Sequence, residues 1–286
     1  ELLGFVRPIE NSYDAISGFD YLGEIANDVS LCAINLSKLV CDLMMWSTLE
    51  FGFLKLQDAY VQTSSIMPQK RNPSGMEHVR SILSTVVGCA NVVTVAMHNT
   101  PYGDYIDAED DMNPFLLRMM SNLDNAARLL SAMIATMDVD CEMLLERAKD
   151  SFSVITELAD TLVRETHLSF RQTHGIAAKL VRYCRERNMG LKEVTTDLIR
   201  QVFEEVTGSS LTISAQILKR SLSPENFADI RNVYGGISPH QMELLVNSAW
   251  DECAISEDWL REANDKMIKA RETLEGTIGE LLENSD

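Results

Sequence analysis

The sequence predicts an all-α protein built on long helices. Residues 21–46 place apolar side chains mostly at three- and four-residue steps and contain no proline, which is typical of a long amphipathic helix. A second long helix is expected from Pro73 to about residue 98. A third should open with Asn113 as its cap and Pro114 at its first helical position. No segment alternates apolar and polar residues convincingly, so no sheet is expected.

The chain is expected to divide into two helical regions. Its 286 residues exceed the usual size of one domain, and its 45% hydrophobic and 24% charged residues give a globular balance. After residue 138 the predicted helices become shorter, at about 141–149, 153–166, 169–187 and 191–206, and a last helix opens at Ser238-Pro239. We therefore expect a bundle of long helices in residues 1–138. Residues 139–286 should form a small helical C-terminal domain plus a final bundle-type helix.

The long helices indicate an oligomer in preference to a membrane protein. Residues 81–103 contain no Asp, Glu, Lys or Arg and are long enough to span a bilayer. They also contain polar residues such as Ser84, Asn91 and His98, which are costly in lipid. We expect this segment to be a helix buried on all sides within a large bundle. The predicted helices are too long and too apolar to be covered within one chain, which favours an oligomeric bundle.

Composition excludes several classes of function. The net charge of −18 argues against a nucleic-acid-binding surface and against anionic membranes. The six cysteines contain no CxxC pair and indicate reduced thiols in a cytoplasmic protein. The five histidines form no HxH or HxxxH pattern, so no metal site is expected. An anionic substrate would need a local cationic pocket.

One loop carries a long and specific motif. Residues 63–73 read TSSIMPQKRNP, which resembles the GSSxMPxKxNP pattern of the fumarase/aspartase superfamily. Further segments are similar to the argininosuccinate lyase branch of that superfamily, and they lie at 10–15, 46–47, 50–53, 58–60, 170–174 and 235–239. The loop departs from the pattern at Thr63, which stands where the family has glycine.

The resemblance implies a homotetramer with a core of twenty helices and active sites that are each shared among three subunits. It implies a small dicarboxylate substrate, an amine product and no cofactor. The family's general-acid histidine lies on a segment that precedes Glu1 in relatives, and no Gly-x-Thr-His-like segment occurs here. We therefore interpret the chain as the C-terminal portion of a longer enzyme.

The resemblance also assigns roles within the loop. Ser64 corresponds to the base that takes the proton from carbon beside a carboxylate, while Lys70 and Asn72 correspond to ligands of that carboxylate. The intermediate of such a reaction is a doubly charged aci-carboxylate, so catalysis depends on fixed cations and donors around it. A serine is a weak base in water, and closure of the loop over the substrate would have to activate it.

Three further residues near the loop are predicted to contribute. Ser65 and Met67 belong to the segment that closes over the substrate, and the resemblance places them among the substrate-binding residues. Glu77 corresponds to the acid that pairs with the histidine general acid, and the N-terminus of a helix would stabilise its anion. Arg80, one turn further on, has two readings, a substrate contact or a plain i,i+3 ion pair with Glu77.

The region that meets the leaving amine differs from argininosuccinate lyases. Where that branch has tyrosine, glutamine and lysine, this sequence has Gly103, Ala108 and Asp111. Tyr102 or Tyr105 could replace the tyrosine after a small shift. Because Asp111 reverses a charge, we expect the fumaryl half of the substrate to be kept and the amine half to differ. Ethylenediamine-disuccinate lyase is a relative with such a substrate, and argininosuccinate remains the alternative.

The sequence thus predicts a carbon–nitrogen lyase that eliminates an amine from an N-succinyl compound to give fumarate. The alternative is a non-catalytic structural protein on the same bundle, as lens crystallins of this family are, or an inactive truncated relative. His174 shares a predicted helix face with Phe170, and we expect it to be a packed, hydrogen-bonded histidine with no catalytic role.

Overall fold

The computed structural model describes residues 2–63, 66–67, 69–106 and 110–284. These residues fall into two compact units. Arg7–Met143 form the first, called the bundle unit, and Leu144 onward together with the residues before Arg7 form the second, called the C-terminal unit. The boundary between them lies within a helix, whereas the domain boundary predicted from the sequence near residue 138 stays a prediction.

The bundle unit contains the three predicted long helices. Its helices are α1 (Ser12–Ser17), α2 (Asp20–Trp46), α3 (Ser74–Met97) and α4 (Asn113–Thr136). The expectation of an all-α helical fold is confirmed, and the long helices begin and end close to their predicted positions. The predicted cap of α4 is wrong by one residue, because Met112 occupies the cap position and Asn113 is already helical. Helix ends commonly shift by this amount.

A single apolar seam holds α2, α3 and α4 together. Its residues on α3 recur at three- and four-residue steps, as Met76, Val79, Leu83, Val86, Ala90 and Val93. Such a repeat is typical of helices that pack nearly parallel to one another with interlocking side chains. Gly75 at the start of α3 lies beside Met133 near the end of α4, and Gly23 near the start of α2 lies beside Met97. Helix α3 therefore runs antiparallel to both α2 and α4.

The second apolar face of α2 is not covered within the chain. The small residues Ala26 and Ala33 face the core, whereas the larger Ile25 and Leu39 are exposed. Helix α3 is likewise buried along one side only, so the expected burial on all sides is not met within this chain. By length and composition alone, α2 and α3 could each cross a membrane. Both helices thus leave an apolar face uncovered among the described residues.

Short antiparallel ladders fix the connections between the long helices. Strand β1 (Leu54–Lys55) pairs with β4 (Asp138–Val139), and β2 (Gln62–Thr63) pairs with β3 (Arg71–Asn72). Each strand has only two residues, which is too short for an alternation of apolar and polar residues to be visible in the sequence. The first ladder ties the segment after α2 to the end of α4.

The C-terminal unit contains shorter helices around its own core. They are α5 (Cys141–Asp150), which begins in the bundle unit, α6 (Ile155–Thr166), α7 (Phe170–Glu186), α8 (Thr196–Thr207), α9 (Ala215–Arg220), α10 (Pro224–Asp229) and α11 (Pro239–Glu283). The predicted helix 191–206 is wrong at its start, where a 3-10 turn, Leu191–Glu193, precedes α8. The core lies between α6, α7 and α8 and includes Leu162, Leu180 and Val202.

A buried carboxylate organises one side of the C-terminal unit. Glu157 on α6 is 1% exposed, yet it is ionisable. Its oxygens accept hydrogen bonds from the Thr161 hydroxyl at 2.9 Å and from Arg231 at 3.3 Å, and it forms an ion pair with Arg164. Arg231 also lies 3.6 Å from Asp160. The buried charge is therefore compensated from several directions.

A glycine-rich joint leads into the final helix. Gly235 has a positive φ of 78°, and a Cβ added at Gly236 would stand 1.9 Å from the carbonyl oxygen of Arg231. Ser238 follows as the cap of α11, and its hydroxyl accepts the backbone N–H of Gln241 at 3.3 Å. Helix α11 then runs for 45 residues, about 68 Å at the usual rise, with no buried residue.

Candidate active site

The motif-bearing loop is closed at its base by a two-residue ladder. Gln62 is paired with Asn72 and Thr63 with Arg71, so the two ends of segment 64–70 are held together. The predicted base Ser64 and the predicted substrate ligand Ser65 lie outside the described residues. The structure describes the two short strands that flank this segment, and Asn72 belongs to the second of them.

Lys70 and Met67 form a turn within the loop. The backbone N–H of Lys70 donates to the carbonyl of Met67 at 3.0 Å. The Lys70 side chain is exposed, and among the described residues its ammonium has no carboxylate within ion-pair distance. Asn72 is half-buried, and its backbone carbonyl accepts a hydrogen bond from the Ser74 hydroxyl at 3.3 Å. The loop therefore presents an exposed lysine beside an asparagine whose backbone is held in the ladder, in a protein of net charge −18.

Arg71 is a residue that the sequence analysis did not single out. One nitrogen of its guanidinium lies 2.6 Å from the Asp58 carboxylate, and the other donates to the carbonyl oxygen of Leu56 at 2.9 Å. Asp58 belongs to segment 58–60, which resembles the argininosuccinate lyase branch, and Arg71 belongs to the loop motif at residues 63–73. Neither segment by itself indicates that the two residues meet.

Glu77 lies in the first turn of α3, directly after the loop. Its backbone N–H donates to the Pro73 carbonyl at 3.0 Å, and its side chain is exposed. The N-terminal end of the helix stabilises a carboxylate at this position. The alternative i,i+3 ion pair between Glu77 and Arg80 is not formed among the described residues, whose ion pairs lie elsewhere. Glu77 therefore faces outward, beside the loop.

A close backbone approach places the start of α3 beneath the loop. A Cβ added at Gly75 would stand 2.7 Å from the Met133 sulfur, 3.2 Å from the Tyr60 Cβ and 3.3 Å from the Tyr60 carbonyl oxygen. Tyr60 ends the 3-10 turn Asp58–Tyr60, which also carries the partner of Arg71. The absence of a side chain at Gly75 thus lets α3, α4 and the base of the loop meet.

Replacing Gly75 by alanine is expected to destabilise the protein by about 1–3 kcal/mol, because the methyl group must displace backbone as well as a side chain. Urea unfolding followed by circular dichroism measures this. The matched control is Gly175→Ala in α7, where the described residues leave nothing within 4 Å of an added Cβ. That variant should be neutral or more stable by up to about 1 kcal/mol. Equal behaviour of the two variants would contradict the close packing.

The candidate leaving-group residues lie at the other end of α3. The carbonyl of Tyr102 accepts a hydrogen bond from the Tyr13 hydroxyl at 2.9 Å, which ties this segment to the motif at residues 10–15. The side chain of Tyr102 is 76% exposed. The ring of Tyr105 instead covers Gly103, where an added Cβ would stand 2.8 Å from a ring carbon. Ala108 lies outside the described residues, and Asp111 is exposed.

The structure does not bring the two groups of predicted residues together in one chain. Lys70, Asn72 and Glu77 lie at the N-terminal end of α3, and Tyr102 and Tyr105 follow its C-terminal end. The helix has 24 residues and so rises about 36 Å at 1.5 Å per residue. That distance exceeds the length of a small substrate. A site that used both groups would have to take them from different copies of the chain.

The structure also describes His174 and the side chains that could bind a metal ion. His174 does share a helix face with Phe170, at 5.9 Å between ring centroids, but the expected packed and hydrogen-bonded state is wrong. The buried face of α7 is formed by Thr173, Ile176 and Ala177, so His174 points to solvent. Within the residues that the structure describes, no group of three or more His, Cys, Asp or Glu could hold a metal ion.

Comparison with known families covers both units. A family model described as "Lyase" matches residues 1–88, which include the loop and the start of α3. A second, described as "Argininosuccinate lyase C-terminal", matches residues 152–229, from the turn before α6 to α10. Argininosuccinate lyase of Methanococcus maripaludis is 33% identical over 274 residues, which are 96% of this chain and 55% of that protein. The chain belongs to the argininosuccinate lyase-like branch of the fumarase/aspartase superfamily.

Two further comparisons agree with this assignment. Argininosuccinate lyase 2 of Agrobacterium fabrum is 33% identical over 276 residues, covering 96% of this chain and 55% of that protein. A solved structure of an EDDS lyase variant with bound fumarate superposes with a TM-score of 0.88 at 25% identity, over 99% of this chain and 56% of that one. The chain therefore spans about half the length of the relatives it matches.

Proposed function

We propose that the full-length protein is a carbon–nitrogen lyase that releases fumarate and an amine from an N-substituted aspartate. The observation that carries this proposal is the loop. Its motif precedes the N-terminus of α3, its ends are paired through Thr63 and Arg71, and it carries the exposed Lys70, which has no ion pair among the described residues. Membership of the argininosuccinate lyase-like branch supports the same activity.

In the proposed reaction Ser64 takes the β-proton of the succinyl unit, anti to the departing nitrogen. The electron pair of the broken C–H bond moves into the adjacent carboxylate, giving an aci-carboxylate that Lys70 and Asn72 stabilise. Ser65 and Met67 contact the same half of the substrate from the closing loop. The pair then forms the double bond of fumarate, the C–N bond breaks, and a general acid on another segment protonates the nitrogen. Glu77 orients that acid.

We further propose that copies of this chain share each site in a homotetramer. The loop end and the Tyr102 end of α3 are separated by about 36 Å, so antiparallel copies would bring unlike ends together. The uncovered apolar residues fit such an assembly, including Ile25 and Leu39 on α2 and Trp250 and Trp259 on α11. Covering them between copies would place the long apolar helices in a common core, and we propose that the assembled protein is soluble and cytoplasmic.

The amine product is proposed to carry positive charge and no carboxylate near the Tyr102 end. Residues 101–112 contain five acidic residues and no basic one. An added carboxylate would be repelled there, whereas an ammonium group would be attracted. A diamine of the kind released from ethylenediamine disuccinate satisfies this condition, with Tyr102 or Tyr105 as the aromatic contact. Arginine carries a carboxylate together with its cation and is the competing product.

The activity can be tested in the direction of addition. Full-length wild-type protein mixed with fumarate and a diamine is expected to consume the ultraviolet absorbance of fumarate, and more slowly with arginine. Lys70→Met should lower the rate by about 10²-fold or more, because the carbanion loses its cation. The matched control is Lys55→Met, an exposed lysine of β1, which should keep the wild-type rate.

The outcomes separate the competing proposals. If wild type consumes no fumarate with any amine offered, the protein is a structural member of the family and the enzyme proposal is wrong. If arginine reacts faster than the diamines, the lyase proposal stands but the reading of Asp111 and its neighbours is wrong. An equal loss of rate in the Lys70→Met and Lys55→Met variants would show that the loop lysine has no specific role in the reaction.

A further inference from the structure

We propose that Arg71 and Asp58 form a latch that positions the catalytic loop, so that both act as positioning residues without touching the substrate. This inference rests on the proposed function for its consequence in catalysis. The latch itself is a property of the fold. It joins the C-terminal base of the loop to the 3-10 turn Asp58–Tyr60, which precedes the N-terminal base.

The contacts of Arg71 carry the argument. Its two terminal nitrogens are committed to different acceptors, the Asp58 carboxylate at 2.6 Å and the Leu56 carbonyl at 2.9 Å. Leu56 is buried in the core of the bundle unit, so the guanidinium is attached to a rigid point. Because each terminal nitrogen of Arg71 contacts an acceptor on the segment before the loop, the guanidinium is held at that segment, which favours a positioning role.

The location explains why the latch would affect the loop. Arg71 is paired with Thr63, the last described residue before the predicted base, and the ladder has two residue pairs. So short a ladder is weak by itself, because isolated two-stranded pairs are marginal in water. The side chain of Arg71 supplies the additional connection. Without it, Thr63 and Arg71, which flank segment 64–70, would separate more often.

The latch is reversible because one partner is open to water. The side chain of Asp58 is 88% exposed and that of Arg71 is 38% exposed. Exposed ion pairs are weak, while a hydrogen bond to a buried carbonyl adds to them. Loss of the latch is therefore expected to raise the population of the opened β2–β3 ladder by about three- to tenfold and no more.

The test is a double-mutant cycle with Asp58→Asn and Arg71→Gln in the full-length protein. Amide hydrogen exchange of residues 62–72 is measured first, because it needs no activity. Each single variant should exchange about three- to tenfold faster in this segment, and the double variant no faster than Arg71→Gln. In turnover, kcat should fall by the same factor while KM changes little. Arg71→Lys keeps the charge but has one nitrogen for two acceptors, and should be intermediate.

Arg128→Gln is the matched control. Arg128 forms an exposed ion pair with Asp124 at 2.8 Å within α4, and because neither residue belongs to the loop or its ladder, the loss of this pair should change neither measurement. Unchanged exchange in Arg71→Gln would overturn the latch. So would a large loss of activity in Arg71→Gln with none in Asp58→Asn, because Arg71 would then act on the substrate. If wild type is inactive but exchange responds as expected, the latch stands and the proposed function fails.

Discussion

Ser64→Ala is expected to lower amine addition to fumarate by about 10³-fold, because it removes the group that takes the proton. Substrate binding should survive, since Lys70 and Asn72 remain to hold the carboxylate. The variant should also be as stable as wild type, because a loop serine contributes little to folding. Initial rates and unfolding curves measured on the same preparations check both statements. A variant that kept a tenth of the wild-type rate would show that another group is the base.

Mixing variants extends this test to the sharing of sites. Ser64→Ala copies combined with Tyr102→Ala copies, unfolded and refolded together in equal amounts, should regain activity in about a quarter of their sites by random assortment. Ser64→Ala copies combined with Lys70→Met copies should regain none, because both changes affect the same end of α3. Recovery in both mixtures, or in neither while Tyr102→Ala alone is impaired, would refute sites built from different copies.

Glu157→Ala is expected to destabilise the C-terminal unit by about 3 kcal/mol. Removing one partner of a buried ion pair is costly, because Arg231 is only 26% exposed and would keep only Asp160, at 3.6 Å, as a partner. Urea unfolding of the full-length protein measures the change. The control is Glu165→Ala on the same helix, where the carboxylate is exposed and has no ion pair among the described residues. That change should stay within about 0.5 kcal/mol, and a similar loss in both would refute the special role of Glu157.

The long helices could be predicted because their periodicity extends over many turns. The orientation of α2 could not be predicted, since it carries apolar residues on two faces and the smaller set, with Ala26 and Ala33, is the buried one. Helix propensity and spacing do not distinguish an apolar face that packs within the chain from one that stays uncovered in it. The short helices α9 and α10 have six residues each, too few for a periodic signal.

The candidate loop could be found because its residues are contiguous, and a motif of eleven positions is specific without any structure. Distances between separate segments could not be predicted from the sequence. The contact of Arg71 with Asp58 joins positions that are thirteen residues apart, and the separation of Tyr102 from Lys70 depends on the straight course of α3. The exposure of His174 followed from which face of α7 is buried, and both faces carry apolar residues.

The joint before α11 affects how mutational data on this protein should be interpreted. At Gly236 any side chain would overlap the carbonyl oxygen of Arg231, so every substitution there forces the backbone into a different path. A saturation mutagenesis screen that measures retained function would find Gly236 as intolerant of substitution as the loop residues. Gly236 need not contact the substrate to give this result. Intolerance of substitution in that part of the motif reports on the backbone geometry. A catalytic role can be assigned to a residue only where the purified variant still folds.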